Sequence, residues 1–178
     1  MKKEVVLGIT GSIAAYKACD IIRQLKDEGF SVSVILTKEA ERFITALTLE
    51  TLSGNKVYQD MFEIPTDWQP NHISLARKAD LILIAPATAN VISQIACGIC
   101  DDLLTTTVCA STAPVLIAPA MDENMFLNKI IQGNIKKLEN LGHKFVGPIK
   151  GRLASGKIGV GHLAKVEDIV DRVKKILA

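Results

Sequence analysis

Short runs of consecutive apolar residues, rich in Val, Ile and Leu, alternate along the chain with longer amphipathic segments. A run without polar interruptions predicts a strand buried on both faces, whereas a half-exposed strand alternates apolar and polar residues. The predicted strands occupy residues 5–9, 32–36, 81–85, 114–118 and 144–146. Because helical segments separate them, we expect an α/β fold with a doubly wound parallel sheet and helices on both faces, in three layers.

Helices are predicted where apolar residues recur at helical spacing. The first of them ends at Gly29, a residue suited to a helix cap. Others are expected over 40–52, in two short pieces, over 125–141 and over 166–177. In such sheets ligands bind beyond the carboxyl ends of the strands, so the segments that follow the strands are candidates for a shared site.

The chain has 178 residues, which is the size of one ordinary domain, and we expect a single domain over residues 1–178. Its net charge of +2 and its lack of a basic, aromatic-rich face give no indication of nucleic-acid binding. No stretch has the length of a membrane span, and no signal peptide precedes the first strand. We therefore expect a cytoplasmic protein that binds neither nucleic acid nor membrane, with reduced cysteines.

Cys97 and Cys100 have the spacing of a redox pair or half a zinc site. Zinc would need a second pair, and a redox pair would need an exposed, electropositive helix start. The apolar residues before Cys97 instead favour two small side chains packed near a turn, so no metal is expected.

The turn after the first strand is suited to a phosphate group. Gly11 would let backbone approach a ligand closely, Ser12 offers a hydroxyl, and the following helix start offers free N–H groups. A dinucleotide site would need the pattern G-x-G-x-x-G at this turn and an acidic residue after the second strand. The chain has neither, and Thr37 and Lys38 stand after the second strand. These residues favour a mononucleotide, although a capped turn without a ligand also fits the Gly-Ser pair.

Small and polar residues also follow the later strands. Residues 86–90 can let a flat ring lie against backbone, and the aspartates of 101–105 suit the start of a helix. Met121 follows the fourth strand and can contact an aromatic ring.

Seven motifs in order carry a family resemblance: GITGSIAAYK (8–17), TKEAERFI (37–44), NHISLARKAD (71–80), APATAN (85–90), DDLLT (101–105), APAMDENM (118–125) and GRLASGKIGVGHLA (151–164). Together they resemble the homo-oligomeric flavin-containing cysteine decarboxylases. The resemblance implies a flavodoxin-like, Rossmann-type fold with FMN bound at the contact between subunits, in a homotrimer or dodecamer.

The resemblance assigns roles to individual residues. It implies FMN contacts from Gly11, Ser12, Ile13, Thr37, Ala87, Thr88, Ala89, Asn90, Thr105 and Ala120. It implies substrate contacts from Asn71, Met121, Asp122, Arg152, Ala154 and Leu163. His72 would be the active-site histidine, whereas from the residues alone a histidine at a helix start is more often a surface residue. His143 and His162 are expected to be surface or loop residues.

The implied reaction is decarboxylation of phosphopantothenoylcysteine, a small phosphorylated thiol, to phosphopantetheine in coenzyme A biosynthesis. A separate phosphopantothenate-cysteine ligase would supply the substrate. Oxidation of the thiol-bearing carbon gives a thioaldehyde that can accept the electrons left when CO2 departs, and re-reduction of the resulting enethiol completes the cycle.

Two residues depart from the family pattern, in which a cysteine and an asparagine are usual. Ser155 stands where the cysteine would deliver a proton, and Asp122 stands where the asparagine would bind the substrate carboxylate. An ionised Asp122 would repel that carboxylate by about 4 kcal/mol at about 4 Å. Either Asp122 is held protonated and supplies the missing proton, or the reaction stops at the enethiol. We favour the first hypothesis.

Arg152 suits a phosphate or carboxylate, and the glycines of 151–161 suggest a mobile flap that closes over the substrate. Two other functions remain open at this point. One is oxidative decarboxylation of a peptide's C-terminal cysteine, and the other is a non-catalytic FMN-binding subunit.

Overall fold

The computed structural model describes residues 2–63 and 69–178. Its main sheet has six parallel strands in the order β3-β2-β1-β4-β5-β6. These strands are β1 (Glu4–Ile9), β2 (Ser31–Leu36), β3 (Val57–Tyr58), β4 (Leu81–Ala87), β5 (Val115–Pro119) and β6 (Lys144–Phe145). The doubly wound parallel sheet predicted from the sequence is confirmed.

The order of the chain reverses between β1 and β4, which are neighbours in the sheet. The two-residue edge strand β3 was not predicted. The other five strands follow the order 2-1-3-4-5 of a flavodoxin-like fold, and β3 extends it to the longer Rossmann-type order.

In the residues that the structure describes, eight α-helices connect or flank the strands. They are α1 (Ala18–Asp27), α2 (Ala46–Ser53), α3 (Asn71–Lys78), α4 (Ala89–Cys97), α5 (Leu103–Ala110), α6 (Glu123–Phe126), α7 (Lys129–Asn140) and α8 (Val166–Leu177). Short 3-10 helices at Ile13–Lys17 and Ala40–Arg42 precede α1 and α2. Across the described part of the chain, none of these helices is both long and apolar enough to cross a bilayer.

The core consists of two apolar clusters, one on each face of the sheet. Side chains of α1, α2 and α8 pack on one face, and side chains of α3, α4, α5 and α7 pack on the other. In β1, Leu7 belongs to the first cluster and its neighbour Val6 to the second, as expected for a strand buried on both sides. The three-layer arrangement is thus confirmed.

The structure departs from the predicted elements in two further places. The helix expected over 125–141 is two helices, because Asp122 caps α6 and Asn128 caps α7 with side-chain hydrogen bonds. An antiparallel hairpin of β7 (Ile149–Arg152) and β8 (Ile158–His162) forms a second small sheet that was not predicted.

The four cysteines are free thiols, but two of them are not packed as expected. Cys97 ends α4 and Cys100 follows it, and both side chains are exposed. Cys19 is partly covered, and burial, reinforced by the Asp20 carboxylate, raises the pKa of its thiol.

Candidate functional site

The segments that follow β1, β2, β4 and β5 lie at one edge of the sheet, because these strands are parallel neighbours. The reversal between β1 and β4 opens a crevice at this edge. Almost all the residues that the resemblance assigns to cofactor or substrate lie in these segments or in the β7–β8 hairpin.

A buried hydroxyl joins the segments that follow β1 and β4. Thr10 Oγ1 donates to the Pro86 carbonyl oxygen at 2.7 Å and accepts from the Thr88 N–H at 3.1 Å. Ser12 begins the Ile13–Lys17 turn, and its Oγ accepts from the Ala14 N–H at 3.3 Å. The turn after β1 is therefore held against the turn after β4.

Gly11 has a different role from the one predicted for it. A Cβ at this position would lie 2.5 Å from Cβ of Glu39, so the glycine allows the turn after β2 to approach the turn after β1. The close contact at Gly11 is with protein, and the two turns are packed together by it.

Thr37 begins the segment after β2 and has a buried hydroxyl. The residue is 8% exposed, and its Oγ1 has no hydrogen-bond partner within the described residues. A buried hydroxyl usually has a partner, so this atom is available to a ligand.

The turn after β4 presents small side chains. Thr88 caps α4 by accepting from the Val91 N–H at 3.3 Å, while Ala89 is buried and Asn90 is exposed. Ala87 is fully buried in the core, and its carbonyl oxygen accepts from the Ala120 N–H at 3.0 Å. The side chain of Ala87 is therefore enclosed by the core, and its FMN contact stays a prediction.

Thr105 is also engaged within the protein. Its backbone N–H and its hydroxyl both donate to Asp102 Oδ1 at 2.7 Å, in a capping box at the start of α5. Thr105 is 2% exposed and its hydroxyl is bonded within the protein, and its FMN contact stays a prediction.

The segment after β5 bonds to the β7–β8 hairpin. The Met121 N–H donates to the Gly161 carbonyl oxygen at 3.0 Å, and the Val160 N–H donates to Glu123 Oε1 at 2.9 Å. Asp122 lies between these contacts, and its Oδ1 accepts from the Asn124 N–H at 2.9 Å.

Three of the four hairpin glycines allow close packing, a role that the sequence analysis did not assign to them, and the mobile flap stays a prediction. A Cβ at Gly161, where φ is 151°, would lie 2.2 Å from the Met121 carbonyl oxygen. A Cβ at Gly159 would lie 2.7 Å from the Glu123 carboxyl carbon. Gly156, in the turn at φ 83°, is the one that meets open space.

The first of two clefts at this edge has a volume of about 760 Å³. It brings together the greater part of the predicted site. The predicted residues that line it are Gly11, Ser12, Ile13, Thr88, Ala89, Ala120, Met121, Asp122, Arg152, Ala154, Ser155 and Leu163. Its other charged or titratable lining side chains are Tyr16, Lys17 and His162.

The second cleft has a volume of about 720 Å³ and is lined by Thr37 and Asn90 among the predicted residues. Acidic side chains surround it, including Glu39, Asp101 and Asp102. The structure thus divides the predicted FMN contacts between two clefts, with adjacent residues Ala89 and Asn90 facing different ones.

Asn71 and His72, at the start of α3, line neither cleft. Asn71 is 5% exposed, and both its Nδ2 and the Nδ1 of His72 are buried without a hydrogen-bond partner in residues 2–63 and 69–178. Because α3 leads into β4, its first turn lies at the same edge of the sheet as the clefts.

His162 was expected to be a surface or loop residue and is instead part of the first cleft. Its Nδ1 lies 2.8 Å from the Leu163 carbonyl oxygen, and its ring packs over Gly151, where a Cβ would lie 2.9 Å from Cγ. The sequence signal for this position was the pattern Gly-Val-Gly-His at 159–162. In a strand it places the side chains of Val160 and His162 on one face and the glycines on the other.

Within the described ranges 2–63 and 69–178, no group of three or more His, Cys, Asp or Glu side chains is placed so that it could hold a metal ion. The first cleft instead has the features of a site for an organic ligand, with small side chains, a few polar groups and two cations.

Comparison with known proteins agrees with this geometry. At the level of sequence, the chain is 45% identical over 176 residues to the coenzyme A biosynthesis bifunctional protein CoaBC of Bacillus subtilis, which covers 99% of the chain and 43% of that protein. The chain thus spans less than half the length of the bifunctional relatives. It is 40% identical to a probable phosphopantothenoylcysteine decarboxylase of Streptococcus mutans, covering 99% of the chain and 100% of the relative.

Solved structures show the same fold. A PPC decarboxylase mutant complexed with pantothenoylaminoethenethiol superposes with a TM-score of 0.87 at 33% identity, over 98% of both chains. The FMN-dependent cysteine decarboxylase SpaF gives a TM-score of 0.86 at 26% identity, over 99% of this chain and 98% of that one. The family model described as Flavoprotein matches residues 1–178, and the chain therefore belongs to the flavoprotein family.

Proposed function

We propose that the protein catalyses the FMN-dependent decarboxylation of phosphopantothenoylcysteine to phosphopantetheine in coenzyme A biosynthesis. The observation that carries this proposal is the first cleft, which brings the turn Gly11–Ser12 together with Asp122, Arg152 and Ser155. The full-length similarity to the Streptococcus mutans relative supports the same activity.

The residues at the sheet edge fit a flavin mononucleotide. The hydroxyl of Ser12 lies on the first cleft, and Thr37 Oγ1 is a buried hydroxyl still open to a ligand. Ala89 and Ala120 are small enough to leave room for a flat ring. When bound, FMN supplies a two-electron acceptor and donor.

The substrate has a phosphate and a carboxylate, and the first cleft contains cations for both. Two cations line it, Lys17 from the turn after β1 and Arg152 from the strand β7. Arg152 can bind an anion through two parallel hydrogen bonds. Apolar side chains of Met121, Ala154 and Leu163 line the same cleft and suit the uncharged part of the substrate.

Asp122 and Ser155 lie on the same cleft, where the substrate carboxylate has to be accommodated. The carboxyl of Asp122 uses one oxygen, Oδ1, to cap α6, and this leaves Oδ2 for the substrate. In its protonated form Oδ2 would donate a hydrogen bond to the substrate carboxylate, which is the role that we propose for it. Ser155, in the exposed hairpin turn, would contribute a hydroxyl beside the reacting carbon.

We propose that His72 acts in the site of a second copy of the chain. His72 lines neither cleft of its own chain, and its buried Nδ1 has no hydrogen-bond partner within the described part of the chain. Exposed apolar side chains beside the first cleft, Ile13, Tyr16 and Met125, are suited to contact with another subunit. A homotrimer, or a dodecamer built from it, would supply His72 and Asn71 as base and orienting group from a neighbour.

The proposed setting is the cytoplasm, with a separate phosphopantothenate-cysteine ligase as the source of substrate. The decisive experiment is to incubate the FMN-loaded protein with phosphopantothenoylcysteine and to weigh the product. Loss of CO2 alone supports the full cycle. An unchanged substrate would refute the proposed function.

A second candidate is oxidative decarboxylation that ends at the enethiol, of this substrate or of a peptide's C-terminal cysteine. The observation that favours it is Ser155, because a serine hydroxyl is a far weaker acid than a thiol. Its product would be lighter than phosphopantetheine, or than the corresponding peptide thiol, by two hydrogen atoms.

A further inference from the structure

His162 lines the first cleft, and the contact made by its Nδ1 indicates which ring nitrogen exchanges protons. The residue lines the cleft and is half-buried, and its Nδ1 lies 2.8 Å from the carbonyl oxygen of Leu163. Because a carbonyl oxygen only accepts hydrogen bonds, Nδ1 carries a hydrogen in this contact. Protons are therefore gained and lost at Nε2, the nitrogen on the other side of the ring.

The surrounding contacts fix the orientation of this ring. One side of it lies against Gly151, where any side chain would collide with Cγ and Cδ2 of the imidazole. In the two residues before His162 in β8, the Val160 N–H donates to Glu123 and the Gly161 carbonyl oxygen accepts from the Met121 N–H. The backbone that carries the imidazole is thus bonded to the segment after β5.

Decarboxylation creates a need for a proton at the carbon that loses CO2. The C–C bond to the carboxylate breaks, its electron pair stays with the organic product, and one proton must be added for each CO2 released. The two electrons taken from the substrate are returned in the same cycle, so no external oxidant or reductant is required.

The cleft contains few groups that can give up a proton near neutral pH. Lysine, arginine and tyrosine side chains ordinarily hold their protons to about pH 10 or above, and serine is weaker still as an acid. A histidine ordinarily titrates near pH 6.5, within reach of both of its protonation states. Among the lining side chains, this leaves His162 and the partly engaged carboxyl of Asp122.

We propose that His162, and not Asp122 as favoured from the sequence, is the acid that delivers the final proton to the product carbon, a role that rests on the proposed function. Nε2 of the imidazolium gives its proton to the carbon as the new C–H bond forms. The neutral ring then regains a proton from water. The charged groups around it are Asp122 and Glu123 of the β5–α6 segment, Lys150 and Arg152 of β7, and Lys17 across the cleft.

The test replaces His162 with Asn in the FMN-loaded protein. The Asn side-chain amide can still donate to the Leu163 carbonyl oxygen from the position of Nδ1, but it has no titrating nitrogen in the position of Nε2. The ratio of saturated product to the product lighter by two hydrogen atoms is measured by mass spectrometry over a range of pH. We expect the ratio to fall on the order of a hundredfold in His162→Asn.

The pH dependence gives a second readout that a structural role would not produce. The native protein should lose saturated product as pH rises and the imidazolium becomes neutral, whereas the ratio in His162→Asn should not change over that interval. A native-like ratio and pH dependence in His162→Asn would overturn the assignment. The assignment would also be overturned if Asp122→Asn, with His162 intact, lowered the ratio of saturated to lighter product by a similar factor, because the proton would then come from Asp122.

The proposed function can fail separately, since it requires only that the native protein release CO2 from the substrate. If the native protein releases CO2 but forms only the lighter product, the role of His162 is refuted and decarboxylation stands. A readout without turnover is the long-range ¹H–¹⁵N spectrum of the three histidines. The signals lost in His162→Asn should be those of an Nδ1–H tautomer at high pH, and an Nε2–H tautomer would contradict the proposal.

Discussion

Glu123 accepts a hydrogen bond from the backbone N–H of Val160 at 2.9 Å, and this contact joins the segment after β5 to the β7–β8 hairpin. Gly159 allows the approach, because a Cβ there would collide with the Glu123 carboxylate. Arg152, Ser155 and His162 all belong to this hairpin or its turn. The position of three candidate site residues thus depends in part on Glu123, a residue of the APAMDENM motif to which the sequence analysis assigned no role.

Replacing Glu123 with Ala should loosen the hairpin without unfolding the protein. A hydrogen bond to a carboxylate contributes about 1 to 2 kcal/mol, and the half-exposed position of Glu123 favours the lower figure. Hydrogen exchange of the Val160 amide should accelerate about fivefold to tenfold. KM should rise by a similar factor because the substrate contacts on the hairpin are less well positioned.

The matched control is Glu139→Ala, which removes an exposed carboxylate on α7. It should leave Val160 exchange and KM unchanged. Equal exchange rates in Glu123→Ala and the native protein would show that the hairpin does not depend on this bond.

Gly161→Ala should destabilise the protein strongly. Its φ of 151° is rarely adopted by residues with a side chain, and the new Cβ would lie 2.2 Å from the Met121 carbonyl oxygen. We expect a loss of more than about 2 kcal/mol in the free energy of unfolding, measured with urea. Gly133→Ala, in α7 with no atom within 4 Å of the added Cβ, should instead stabilise by about 0.5 to 1 kcal/mol.

The sequence was sufficient for five of the six strands of the central sheet, but not for the edge strand β3 or for the hairpin. Runs such as 81–85 are apolar because both of their faces are buried, so their composition alone indicates strands. In β7 and β8, glycines and charged residues alternate with apolar ones, and their pairing depends on close approach to Met121 and Glu123. That contact is between distant parts of the chain and leaves no local pattern.

The same distinction applies to the site. Asp122 and Ser155 could be assigned from motifs, and the structure places them on one cleft. The role of His162 depends on which ring nitrogen meets the Leu163 carbonyl oxygen, a fact of three-dimensional geometry. For Thr105, in contrast, the sequence suggested a ligand contact, and the structure adds the capping box in which its hydroxyl bonds to Asp102.

His143 should make stability depend on pH. Burial lowers the pKa of its imidazole, so the unfolded chain binds a proton there more readily than the folded protein. The free energy of unfolding should be unaffected by this group above about pH 6.5 and should fall as pH drops below that value toward the lowered folded pKa. His143→Gln should show a smaller decline over this interval in urea unfolding at several pH values, and an identical decline would exclude His143 as its source.

A mixing experiment tests whether His72 acts across a subunit contact. The protein is prepared as His72→Asn and, separately, as Arg152→Ala, and each variant alone is expected to have little activity. The two variants are then unfolded and refolded together in equal amounts. A site that takes His72 from one subunit and Arg152 from its neighbour is intact when the first subunit is the Arg152→Ala variant and the second is the His72→Asn variant. Random assembly restores about one quarter of such sites, so about one quarter of native activity should return. If His72 and Arg152 of one chain form each site, every site has one defect and mixing restores no activity.

The control mixes His72→Asn with the double variant His72→Asn/Arg152→Ala. No assembly of these two variants provides His72, so activity in this mixture would show that the assay detects something other than shared sites.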